Sequence, residues 1–160
     1  GAGPDADIAP TAPGIIIEQA RSVLEHMDVT AISVGFTGSR QTAEAIHSII
    51  NDWPGIPVVS HPGLCFLNDD DDEEHNELIN AYSNLILSQS TVASLSLFEA
   101  RAISHETDTL ETTAHSIISS GCDTAIITGT GQHNQAFQNS VFNAKGLVKH
   151  FRWEQEPANC

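Results

Sequence analysis

The sequence predicts an α/β fold: a mostly parallel sheet flanked by helices, closed at its C-terminal end by an antiparallel hairpin. Two observations carry this. β-rich runs alternate with helical runs of apolar residues along most of the chain, and parallel neighbours need crossover connections of that length. The last segment, around Asn139–Glu154, instead places two β-rich runs on either side of a short turn.

From Ile15 to Met27 the apolar positions Ile16, Ala20, Val23, Leu24 and Met27 recur at helical spacing, and VTAISVGF follows as a strand at about residues 29 to 36. Ser39 caps a second helix bearing Ala43, Ile46, Ile50 and Trp53; Pro54-Gly55 ends it, and IPVVSHP is a buried strand at 56 to 60. Leu78, Tyr82, Leu85 and Ile86 mark a third helix, with STVASL as a strand at 91 to 95. Ser96 opens another helical start. Asp108 with Glu111 resembles a capping box for a helix carrying Leu110, Ala114, Ile117 and Ile118, and Gly121 suits its C-terminal end. The strand DTAIITG, at 123 to 128, and the hairpin around Asn143-Ala144-Lys145-Gly146 complete the order.

Composition sets exclusions. Six Lys and Arg stand against 21 Asp and Glu, a formal charge of −15, so nucleic acid or an anionic membrane surface is repelled rather than bound. Cys65, Cys122 and Cys160 show neither CxxC nor zinc spacing and read as free thiols of a reducing compartment, the cytoplasm. No run approaches a membrane span, and GAGPDADIAP has no signal-peptide pattern. The expectation is a soluble protein.

In an open parallel sheet, ligands bind beyond the carboxyl ends of the strands. Four places qualify here: Gly35–Ser39, Ser60–Gly63, Ser94–Ser96 with Glu99, and Thr128–Gly131. Each also has a purely structural explanation. Ser96 and Glu99 form an S-x-x-E capping box that would account for both by helix initiation. One histidine, His61, is not a ligand set. The run Asp69–His75 lacks the alternating ligand and glycine pattern of a calcium loop, and Thr128–Gly131 matches no P-loop.

Taken together, the four places resemble the hydroxymethylpyrimidine/phosphomethylpyrimidine kinase family of the ribokinase-like superfamily. Ser33-Val34-Gly35-Phe36-Thr37-Gly38-Ser39 is similar to the family's K-I-G-M-L-G-S, with serine for the lysine. Val58-Val59-Ser60-His61-Pro62 resembles V-x-D-P, with histidine for the acidic residue. Ser90–Ala100 resembles A-T-V-V-T-P-N-x-x-E-A and keeps Glu99, while Ser96 replaces the asparagine. Ile126–Gly131 stands where the family has a K/T-G-G-H pattern, and Gly1–Ile8 resembles G-A-G-x-x-A-D-I.

The resemblance implies a ribokinase-like fold over residues 1–160 as one domain. It covers the central part of a family member, without the early stretch of strands and helix and without the glycine-rich anion hole. It implies a thiamine-biosynthesis kinase that phosphorylates hydroxymethylpyrimidine or its monophosphate, with Mg and ATP as cofactors. Gly3, Asp7, Gly35 and Phe36 fall on the substrate side; His61, Ser96, Glu99, Thr128 and Gly129 fall on the nucleotide and phosphate side, with Glu99 also the metal-side carboxylate. No catalytic residue is assigned. The changes at Ser33, His61 and Ser96 imply impaired transfer. The alternative is a non-catalytic relative serving as a ligand-binding or homo-oligomerisation module.

Overall fold

The computed structural model describes residues 11–64, 72–105, 108–131 and 136–154. Six strands form one sheet in chain order: β1 (Ile32–Val34), β2 (Val58–Ser60), β3 (Val92–Ser96), β4 (Thr124–Thr128), β5 (Ala136–Asn143) and β6 (Gly146–Glu154). The first three pairings are parallel and the last two antiparallel. The expected class is therefore the observed one.

Helix α1 (Pro13–His26) precedes β1, with proline pre-set in its first turn. Helix α2 (Arg40–Asp52) crosses from β1 to β2; the Ser39 hydroxyl caps it by accepting the Thr42 N–H at 3.1 Å. The β2 to β3 crossover is α3 (Asp72–Ala81), which continues into a π turn at Tyr82–Ile86 and a 3₁₀ turn at Leu87–Gln89. Helices α4 (Leu97–Ser104) and α5 (Leu110–Ser119) join β3 to β4. Sequential parallel strands linked by crossovers of one hand put the connecting helices on one face. Burial agrees, because Val34, Val58, Ala93, Leu95, Ala125 and Ile127 are enclosed whereas Ser33 and Val59, on the other face, are exposed.

Small residues let the helices approach. Ala43, Ala93, Ala100, Ala114 and Ala125 are all fully or almost fully buried, and Ile86, Leu87, Leu95, Ile117 and Ile127 fill the space between them. Gly121 is required where α5 turns into β4: its φ is +115°, and a Cβ there would sit 2.8 Å from the Ser88 carbonyl oxygen.

Two expectations need correction. The N-cap of α5 is Thr109, paired with Thr112, rather than Asp108 with Glu111. Both pairs have the three-residue spacing, but it is Thr109, with an extended backbone, whose hydroxyl accepts the Thr112 N–H. The first strand is also three residues long rather than eight. As an edge strand it is held on one side only, and β2 is bounded by Pro57 and Pro62, which cannot donate to a ladder.

Candidate functional site

The parallel strands end together, and a continuous set of contacts ties their exits into one edge. The His61 N–H donates to the Val34 carbonyl at 2.9 Å, carrying the β1–β2 ladder one residue past β2. The His61 ring then lies against Gly35. A Cβ on that glycine would be 3.2 Å from Nε2 and 3.4 Å from Cε1, so the imidazole occupies space that only glycine leaves open.

The next link is Glu99. Its Oε2 accepts the Ser96 N–H at 2.8 Å while the Ser96 hydroxyl accepts the Glu99 N–H at 3.1 Å, a complete capping box. Its other oxygen, Oε1, accepts the Leu64 N–H at 3.0 Å. One carboxylate thus starts α4 and fastens the segment His61–Leu64, in which Pro62, Gly63 and Leu64 are buried, to the end of β3. Ser96 and Thr128 are ladder partners, and the Thr128 hydroxyl donates weakly to the Leu95 carbonyl at 3.4 Å.

Gly35, Phe36, His61, Ser96, Glu99, Thr128 and Gly129 therefore share the carboxyl edge of four adjacent strands. Gly3, Asp7 and residues 69–71 of the acidic run lie outside the described residues. Gly35 and Phe36 also form one end of a groove of about 500 Å³ between α1, β1 and α2, walled by Ile16, Val23, Ile46 and Ile50. The groove follows α1, so only that end reaches the strand exits.

Beneath the edge, three hydroxyls form a closed relay. Ser90 donates to the Ile86 carbonyl at 2.8 Å, so the 2.7 Å bond between Ser60 and Ser90 has Ser60 as donor. Tyr82 must then donate to Ser60 at 2.9 Å. Burial pushes the Tyr82 phenol far above its ordinary value, against the lowering effect of the Ser60 bond. Burial likewise raises the Cys122 thiol, whose Sγ donates to the Thr124 carbonyl. Both are structural groups.

Sequence reading missed two features. Phe98, in the first turn of α4, is 74% exposed at the same edge; a single apolar residue in a capping segment gives no periodic signal. Beyond β4, Thr130, Gln138, Ser140, His150 and Arg152 join in one polar network. The period-2 spacing of Gln138 with Ser140 and of His150 with Arg152 places each pair on one face of its strand, but the register that brings the pairs together appears only in the fold.

The family description that matches this chain, phosphomethylpyrimidine kinase, covers residues 5–159. The chain belongs to that family. Among solved structures, Staphylococcus aureus pyridoxal kinase with AMP-PCP and pyridoxal is similar at TM-score 0.79 and 18% identity, over 98% of this chain and 58% of that one. An ADP complex of Bacillus subtilis pyridoxal kinase matches at TM-score 0.72 and 20% identity, over 95% and 56%. Phosphomethylpyrimidine kinase from Clostridium difficile 630 matches at TM-score 0.70 and 13% identity, over 90% and 61%. No curated protein matches the sequence. The chain thus spans about three fifths of these structures, and the likeness establishes the ribokinase-like fold. Among the described residues, no helix is long and apolar enough to cross a membrane.

Proposed function

We propose that this member of the phosphomethylpyrimidine kinase family carries the central part of an ATP-dependent phosphotransferase acting on hydroxymethylpyrimidine or its monophosphate, with transfer weakened by the residues at Ser33 and His61. The observation that carries the reading is the single edge formed by Gly35, His61, the Ser96–Glu99 cap and Thr128–Gly129, at the place where such sheets bind ligands.

Phosphoryl transfer is chiefly positioning and charge neutralisation. Bound ATP with Mg supplies the phosphoryl group and offsets its charge; the part left to this chain is to seat the acceptor and hold the donor. Gly35 and Phe36 form the end of an apolar groove beside the His61 ring, where a heterocycle would be seated, and the open turn at Gly129 (φ +72°) leaves backbone close to solvent where phosphates would lie. A divalent cation fits less well. Among the described residues no three His, Cys, Asp or Glu side chains gather, and both Glu99 oxygens already accept backbone N–H groups. Ligation would come mainly from phosphate and water, as magnesium allows.

The commitment of Glu99 favours one competing reading, a family member that binds its ligands without turning them over. Calorimetry of the 160-residue chain with Mg-ATP and with hydroxymethylpyrimidine, beside a coupled ADP-release assay, separates the two. Binding of both ligands with turnover well below ~1 s⁻¹ is the expected result. Ligand binding with no turnover above background would favour the non-catalytic reading. Binding of neither would remove the kinase reading altogether.

A further inference from the structure

The polar network beyond β4 does more than join two strands. In the sheet register Thr128 pairs with Asn139 and Asn139 with Phe151, so Gln138 and Arg152 lie one residue past the end of β4, level with Gly129. The Thr128–Gly131 turn folds back onto this point. The Thr130 N–H donates to the Gln138 carbonyl at 2.9 Å, and the Thr130 hydroxyl lies 2.7 Å from the Ser140 hydroxyl.

Gln138 orders the whole group. It is 7% exposed, and an arginine can only donate, so the 2.6 Å bond from Arg152 Nε fixes the amide oxygen toward Arg152. The amide nitrogen must then face inward, where it donates to Thr130 Oγ1 at 3.3 Å and to His150 Nδ1 at 3.1 Å. His150 Nδ1 is consequently an acceptor, which also lets Ser140 donate to it at 2.7 Å. A guanidinium at one end thus sets the position of a turn at the other.

What this arrangement leaves unused is the cationic fork. Arg152 forms no ion pair among the described residues, although the chain carries 21 carboxylates to its 6 Lys and Arg. A long cationic side chain aligned through Nε by a buried neutral amide keeps its two terminal nitrogens for another acceptor. Guanidinium geometry matches paired phosphate oxygens. We propose that Arg152 contacts the phosphates of the nucleotide beside the Thr128–Gly131 turn, and that Gln138 is the positioning residue that holds guanidinium and turn in one geometry. This rests on the reading of the chain as an ATP-using kinase and adds to it a specific anion contact on the hairpin.

The test is calorimetric titration of the 160-residue chain with Mg-ATP, ADP and adenosine, in the wild type and in Arg152→Gln, Arg152→Lys and Gln138→Leu. Losing a charge-assisted bond weakens affinity by about 10- to 100-fold. Arg152→Gln is expected to lose that factor for ATP, less for ADP, and to leave adenosine within about twofold. Arg152→Lys recovers part of the loss, because it restores the charge without the fork. Gln138→Leu shows the same preference for phosphate-bearing ligands with a smaller factor, since the charge remains but is no longer aligned. Arg152 is exposed, so its variants keep the test intact even where the buried Gln138→Leu change prevents folding. Equal ATP affinity in Arg152→Gln and wild type overturns this inference alone, as does an equal loss for ATP and adenosine. Absence of nucleotide binding by the wild type overturns it together with the kinase reading.

Discussion

Replacing Glu99 by glutamine separates the two jobs that sequence alone assigns to this residue, helix initiation and metal-side carboxylate. In the folded chain Oε1 and Oε2 each accept one backbone N–H, from Leu64 at 3.0 Å and from Ser96 at 2.8 Å. Glutamine keeps one acceptor and turns an NH₂ group toward the other N–H, so one of the two bonds is lost and two donors face each other. A hydrogen bond to a charged group contributes about 1.5–3 kcal/mol, and an N–H left unpaired adds its own desolvation cost. The expected destabilisation is therefore about 2–3 kcal/mol, with melting lowered by about 5–10 °C for a chain of this size. Urea unfolding and calorimetric melting of the wild type and Glu99→Gln would measure it. Ser96→Ala should couple non-additively with Glu99→Gln, because both variants break the same capping box. If Glu99→Gln melted like the wild type yet lost Mg-ATP affinity, the clamp argument would be wrong and Glu99 would be a ligand residue.

Tyr82→Phe removes the donor at the head of the Ser60–Ser90 relay and is expected to cost about 1–2 kcal/mol at neutral pH. The folded phenol is raised above its ordinary 10.0, so the stability it contributes is complete below pH 10 and is lost as pH rises beyond it; the difference between wild type and Tyr82→Phe in urea midpoint should shrink there, while the raised Cys122 is common to both proteins. Gly121→Ala should destabilise by about 2–4 kcal/mol, since it adds a close backbone contact at Ser88 to an unfavourable φ of +115°. Gly129→Ala has nothing within 4 Å of its Cβ and only a φ of +72° to bear, so it should cost about 1–2 kcal/mol; equal melting temperatures for the two glycine variants would contradict the steric argument.

The order of strands and helices was legible because each unit carries a local signal: Ser39 before α2, Pro54-Gly55 after it, Ser96 and Glu99 at the start of α4, Gly121 after α5. The π turn at Tyr82–Ile86 was not, since its apolar spacing is that of an ordinary helix, and the displacement is stabilised by distant partners, among them the His47 ring, which bonds the Leu85 carbonyl at 2.7 Å. The edge that carries the candidate residues was legible as a set of strand ends. Its internal contacts were not. That one carboxylate reaches back to Leu64, 35 positions away, depends on the segment His61–Leu64 meeting the start of α4.

Those contacts also bear on why the family pattern is recognisable in a chain with so many substitutions. The residues that keep the pattern at the strand exits are the ones with a steric or hydrogen-bonding task in the fold. Gly38 adopts φ +69°, Ser39 caps α2, and Glu99 joins two segments. Ser96 stands where the family pattern has asparagine, and its hydroxyl accepts the third N–H of the helix; both residue types are favoured N-caps. The positions that depart, Ser33 and His61, are exposed and their side chains carry no hydrogen bond among the described residues. The changes there alter the charge at the edge: a cation and an anion of the pattern are both gone. On the proposed nucleotide reading, a chain of net charge −15 with serine in place of the pattern's lysine at β1 would need cationic help for a triphosphate from elsewhere. The hairpin is where the cations are: Lys145, Lys149 and Arg152 are half of the six, and of the three Arg152 is the one aligned on the strand-exit side by a buried amide. The proposed Arg152 contact would thus supply at the last strand, aligned through Nε by Gln138, the charge that the first strand lacks.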